Sequence, residues 1–142
     1  MSRSGSCLCG AVSYTLSETP EKCGVCHCSM CRKWTGGVFV AFMTAPGTVT
    51  LAGEENLNVF TSSEWAERAS CSKCGSSMFY RVTAPGQEQG VYHMGLGTLD
   101  DASGITLGQE IFIDKKPDSY SFAGDTHKMT EAEVFAMFAP QD

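Results

Sequence analysis

The chain has 142 residues, 42% of them hydrophobic, with 16 acidic against 10 basic side chains, a formal charge of −6, and 8 cysteines against 3 histidines. This is chain enough for one core, and its acidic balance gives no general attraction to phosphate backbones or anionic lipid. No apolar run approaches the roughly 20 residues that cross a bilayer, and Met1 to Gly10 lacks the hydrophobic stretch of a secretory signal; no nucleic-acid or membrane partner is expected, and the expected location is the cytoplasm.

In chain order, Val12, Tyr14 and Leu16 alternate with small or polar residues, which reads as a half-buried strand just after Cys7 and Cys9. A short helical turn is predicted over Ser29 to Thr35, ending at Gly36-Gly37. Val38 to Met43 is apolar on both parities and fits a strand covered on both faces. Further strands are predicted at Thr48–Leu51, Leu57–Thr61, Trp65–Ser70, Met78–Val82, Val91–Leu96 and Glu110–Ile113, separated by turns such as Pro46-Gly47, Pro85-Gly86 and Ser103-Gly104. A helix follows the capping box Thr130/Glu133, with Val134, Phe135 and Phe138 on one face, and is expected to close the sheet as a lid. There is no repeat or linker, so the expectation is one domain over residues 1–142, mainly β with short helices.

The cysteines carry the chemistry. Without an export signal they point to metal or thiol chemistry rather than to a disulfide scaffold. Cys71-Ser-Lys-Cys74-Gly75 is a chelating turn that aims two thiolates at one metal, and two thiolates do not complete a tetrahedral site. Cys7-Leu-Cys9-Gly10 is the natural partner, because it too is a pair followed by Gly and a strand. The second cluster is Cys26-His27-Cys28-Ser29-Met30-Cys31. If His27 turns away, Cys26, Cys28 and Cys31 supply three thiolates, and three protein ligands with a free fourth position is the pattern of a catalytic zinc. Such a zinc can take up a thiol and present it as a thiolate, or polarise a substrate oxygen. Cys23-Gly-Val-Cys26 is also a Cys-x-x-Cys; were Cys23 a ligand, the site would be closed. Other partitions, such as Cys7/Cys9 with Cys28/Cys31, stay open at this point.

Gly-x-Cys-x-Cys-Gly at Gly5 to Gly10, Cys-His-Cys-x-x-Cys-Arg-Lys at Cys26 to Lys33, Cys-x-x-Cys-Gly at Cys71 to Gly75, Gly-Thr-Leu-Asp-Asp at Gly97 to Asp101 and Ile-Phe-Ile-Asp-Lys-Lys-Pro at Ile111 to Pro117 together resemble the glutathione-dependent formaldehyde-activating enzyme (Gfa)/centromere-protein-V domain family over about residues 3–122. The resemblance implies a mainly β, Mss4-like (β-tent) zinc fold. It implies a structural zinc on Cys7, Cys9, Cys71 and Cys74 and a catalytic zinc on Cys26, Cys28 and Cys31, two per chain. It further implies a carbon–sulfur lyase acting on an adduct of glutathione, as co-substrate, and a small aldehyde such as formaldehyde.

Around the second cluster, Arg32 and Lys33 are candidates for binding the carboxylates of glutathione, and Lys33 fits a solvated helix face equally well. Trp34, Phe39 and Phe42 could wall a pocket or fill the core; Lys115 and Lys116 read as surface charges, and Asp100 and Asp101 as turn-capping residues. His93, in a predicted strand, and His127, in a predicted loop, have no partner spacing for acid–base work. The competing reading is a non-catalytic Mss4-like module with two structural zincs for protein interaction. A methionine-sulfoxide reductase is disfavoured because no cysteine follows Cys74. A homo-oligomer is left open.

Overall fold

The structure is a computed structural model and describes residues 3–138. Its elements run β1 (Arg3–Ser6), β2 (Ser13–Leu16), β3 (Lys22–Cys26), α1 (Ser29–Thr35), β4 (Phe39–Thr44), β5 (Val49–Ala52), β6 (Leu57–Thr61) and β7 (Ala66–Cys71). They continue with β8 (Ser77–Val82), β9 (Tyr92–Gly95), β10 (Thr106–Ile111), β11 (His127–Met129) and α2 (Glu131–Phe138). The predicted strands are present within a few residues of their expected limits. Among the described residues β1, β3 and β11 are additional, and His127, expected in a loop, lies in β11.

The strands form two sheets, one in the order β1-β2-β5 and one in the order β11-β10-β3-β4-β9-β8-β7-β6. Alternation on β2 turns Tyr14 and Leu16 inward, where they join Phe42, Met78, Phe79 and Met94 of the larger sheet in one cluster. The chain is therefore mainly β, with its core between two sheets, as a β-tent requires. The apolar run of β4 explains its central place, since it pairs antiparallel with both β3 and β9. Phe42 is core, while Phe39 is buried against Trp34 with ring centroids 5.2 Å apart.

β3 lies between β4 and β10, antiparallel to the first and parallel to the second. Period-two alternation on this strand puts Cys23 and Val25 on one face and Cys26 on the other. Cys23 is accordingly packed in the core. The expected capping box is present, as Thr130 Oγ1 accepts from the Glu133 N–H at 3.2 Å and the Thr130 N–H donates to Glu133 Oε1 at 3.1 Å. The main packing of α2 is on the turn Ile113–Lys115, where Phe112 meets Phe135 edge-on and Asp114 accepts from the Glu131 N–H at 2.9 Å. The helix thus covers the end of β10 rather than lying across the sheet as a lid. Val134 is buried, Phe135 is half exposed, and the side chain of Phe138 lies outside the described part of the chain.

The smaller sheet is anchored to the turn after β9 by a close backbone approach. A Cβ on Gly5 would stand 2.4 Å from the Thr98 carbonyl oxygen and 2.5 Å from the Tyr14 ring. Tyr14 and Thr98 share a hydroxyl–hydroxyl hydrogen bond of 2.7 Å, and the Asp100 N–H donates to the Ser4 carbonyl at 3.0 Å. Gly5→Ala is expected to force β1 off this turn and to lower the unfolding free energy by about 2 kcal/mol, read as a lower urea midpoint at unchanged m-value.

Candidate metal centres

Two groups of cysteines converge. In the first, Cys7 and Cys9 precede β2 while Cys71 and Cys74 close the turn between β7 and β8, and the four sulfurs lie within 4.8 Å of one another. Cys9 Sγ is 3.7 Å from Cys7 Sγ and 3.8 Å from Cys71 Sγ. A tetrahedron of sulfurs around zinc, with Zn–S near 2.3 Å, has edges of about 3.8 Å. Backbone N–H groups point at the sulfurs, from Val12 to Cys7 at 3.3 Å and from Lys73 and Cys74 to Cys71 at 3.4 Å. Gly75 follows with φ +80° and allows this turn. Spacing, N–H donors and an all-sulfur donor set fit a zinc ion.

In the second group, Cys26 ends β3, Cys28 caps α1 and Cys31 lies one turn into that helix, with the three sulfurs again within 4.8 Å. Cys28 accepts from the Cys31 N–H at 3.3 Å, and α1 stops at left-handed Gly36, as its sequence predicts. The three thiols sit in unequal fields. Cys28 is pulled far below the ordinary thiol range by Cys26, Cys31 and the N–H groups of Cys31 and Met30, against burial. Cys26 is pushed far up by Cys28, Cys31 and burial. Cys31, lowered by Cys26 but raised by Cys28 and burial, rests at about 11. This group could hold a metal through three sulfurs, and Cys23 is not part of it.

His27 does turn away. Its ring is buried and its Nε2 lies 2.8 Å from Glu110 Oε1. The Glu110 carboxylate also accepts from Thr126 Oγ1 at 2.6 Å and faces Lys128 Nζ at 3.9 Å. Burial raises this carboxyl, but Thr126, His27 and Lys128 together hold it below its ordinary range. The His27 side chain thus pins the loop carrying Cys26 and Cys28 from behind.

Arg68 of β7 is a site residue that sequence reasoning missed. Its guanidinium is buried, with Nη2 at 3.6 Å and Nη1 at 3.7 Å from Cys31 Sγ. Trp34 and Tyr80 flank it, and His93 stacks on Tyr80 with centroids 4.1 Å apart. Burial, then the charge of Arg68, pushes His93 down to about 4, so it is neutral near neutral pH.

The remaining predicted residues divide. Arg32 Nη1 donates to the Lys115 carbonyl at 3.4 Å and Lys33 is exposed, both on the helix that Cys28 caps. Lys115 pairs with Glu131 at 3.2 Å, and Lys116 donates to the carbonyls of Pro117 and Tyr120. Asp101 caps its turn through the Ser103 N–H at 2.9 Å, and Asp100 accepts from Ser4 Oγ at 2.9 Å. A cavity of about 500 Å³ borders Phe39, Ser76, Ser77 and Gly95 to Thr98 without including Cys26, Cys28 or Cys31. Among the described residues no helix is long and apolar enough to cross a membrane.

Comparison with known proteins follows the same lines. A family model described as glutathione-dependent formaldehyde-activating enzyme matches residues 2–115. An uncharacterized lyase of Schizosaccharomyces pombe is 32% identical over 130 residues, 92% of each chain. A crystal structure of a Rhodobacter sphaeroides protein superposes with a TM-score of 0.57 at 22% identity, covering 73% of this chain and 98% of that one.

The unequal thiols give a direct expectation. A depressed thiol stays ionised as pH falls until its lowered value is crossed, so in metal-stripped protein at about pH 6 iodoacetamide should modify Cys28 ahead of Cys26. Peptide mapping by mass spectrometry reads the order, and modification of Cys26 first would contradict it.

Proposed function

The chain belongs to the glutathione-dependent formaldehyde-activating enzyme family, and from that premise we propose that it is a zinc-dependent carbon–sulfur lyase acting on an adduct of glutathione and a small aldehyde such as formaldehyde, within one domain. The observation that carries this reading is the group of three sulfurs, Cys26, Cys28 and Cys31, without a fourth Cys, His, Asp or Glu among the described residues. Three protein ligands leave one position for substrate. Cys23 faces the core from the opposite side of β3 and His27 is committed to Glu110, which supports an open site over a closed one.

In the synthetic direction a C–S bond forms between the thiol sulfur and the aldehyde carbon, and the thiol proton passes to the carbonyl oxygen. In the lyase direction both changes reverse. Zinc held by Cys26, Cys28 and Cys31 would supply a Lewis acid that stabilises the thiolate or polarises the aldehyde oxygen. Arg32 and Lys33, on the helix rising from Cys28, would be the candidates to meet the carboxylates of glutathione. His27 and Glu110 keep Cys26 and Cys28 in place. Cys7, Cys9, Cys71 and Cys74 would hold a second zinc that joins the two sheets.

This separates the two sulfur groups by experiment. Cys31→Ser should lose one zinc by elemental analysis and lower adduct formation, measured above the uncatalysed rate, at least about 100-fold, while the unfolding transition stays cooperative. Cys74→Ser should instead lose the cooperative transition. Equal damage to folding by both substitutions would remove the enzymatic reading and favour two structural zincs. A Glu110→Ala chain should unfold about 3 kcal/mol more easily, read by urea titration, because it strands buried His27.

A further inference from the structure

Arg68 is a buried cation without a carboxylate partner among the described residues. Its residue is 7% exposed, it makes no ion pair among the described residues, and its Nε has no hydrogen-bond partner. The ring centroids of Trp34 and Tyr80 stand 5.1 and 5.3 Å from the guanidinium carbon, and the nearby His93 is neutral. A guanidinium removed from water needs a counter-charge, since an unpaired buried ion costs several kcal/mol. Among the described residues the one anion-forming atom to which it donates is Cys31 Sγ, approached by two nitrogens in a fork.

Charge counting shows what this placement does. Three thiolates and a divalent cation sum to −1, and adding a thiolate in the fourth position makes −2. Arg68 shifts these sums to 0 and −1. Beside the rings of Trp34 and Tyr80, around a buried guanidinium, the difference matters, because charges there are poorly screened. We propose that Arg68 is a positioning residue that neutralises the three-thiolate centre and thereby selects anionic sulfur ligands, thiolates rather than neutral donors, for its fourth position. The proposal rests on the open-site reading and adds the class of ligand that the site takes.

The test loads the full-length protein with Co²⁺, whose absorption bands report the fourth ligand, and titrates glutathione and imidazole separately into wild type, Arg68→Lys, Arg68→Gln and Arg68→Met. The quantity read is the ratio of the two affinities within each protein, which a general loosening of the fold does not move. The neutral variants should lower the glutathione-to-imidazole ratio at least about tenfold, and the Lys variant should stay within about threefold of wild type. Gln replaces the cation at similar polarity, so the comparison survives if Met does not fold. An unchanged ratio in the neutral variant that folds would overturn the role of Arg68. Failure of wild type to bind either ligand would instead overturn the open site itself.

Discussion

The convergence of sulfur on sulfur across the two sheets is the constraint on which the rest of the structure depends. Cys9 and Cys71 are 62 residues apart in sequence, yet their sulfurs are 3.8 Å apart. Closing so long a loop costs entropy, but the cost grows only with the logarithm of its length, so a compact cross-link repays it readily. Thiolates at such distances repel one another unless a cation sits among them. The β1-β2-β5 sheet also meets the large sheet and the segment that follows β9, among other contacts through the shared core around Tyr14 and Leu16, the approach of Gly5 to Thr98, the Ser4–Asp100 hydrogen bonds and the hydrogen bonds of Arg3 to the Asp101 and Ser103 carbonyls.

The second cysteine group is built differently. Its three sulfurs come from six consecutive residues at the exit of a central strand and the cap of a short helix. No loop has to be closed, so local geometry alone brings the sulfurs together. What long-range structure adds is their surroundings: Glu110 behind the loop and Arg68 in front of it. The same three cysteines on an isolated peptide would have the spacing without the buried counter-charge or the anchored histidine.

Much of this was legible in the sequence where a signal was local. Strands with apolar alternation or a continuous apolar run, such as β2 and β4, declared themselves, as did α1 through its terminal glycines and α2 through Thr130 and Glu133. The two cysteine groups were suggested by paired spacing and the following glycines, and the family resemblance rather than spacing favoured them over partitions such as Cys7/Cys9 with Cys28/Cys31. β1 was not legible because Arg-Ser-Gly-Ser has no apolar period, and it is a strand only because β2 offers it a partner. β3 was masked by its own cysteines, since Cys-x-x-Cys suggests a turn, whereas a central strand sends Cys23 and Cys26 to opposite faces. Arg68 reads as an ordinary charge beside Glu67, and nothing near it announces Cys31, 37 residues earlier. The pairing of His27 with Glu110 spans 83 residues and is visible only once β10 has docked on β3.

The clamp behind His27 also sets an order of events for a chain leaving the ribosome. Cys7, Cys9, Cys71 and Cys74 are all available once residue 74 has emerged, so these four sulfurs can meet early. Glu110 arrives later, and Thr126 and Lys128 later still. Until then Cys26 and Cys28 sit on a loop whose histidine has no buried partner. The loop carrying Cys26 and Cys28 would therefore gain its anchor only after the four sulfurs of Cys7, Cys9, Cys71 and Cys74 could meet, and would stay adaptable in the interval.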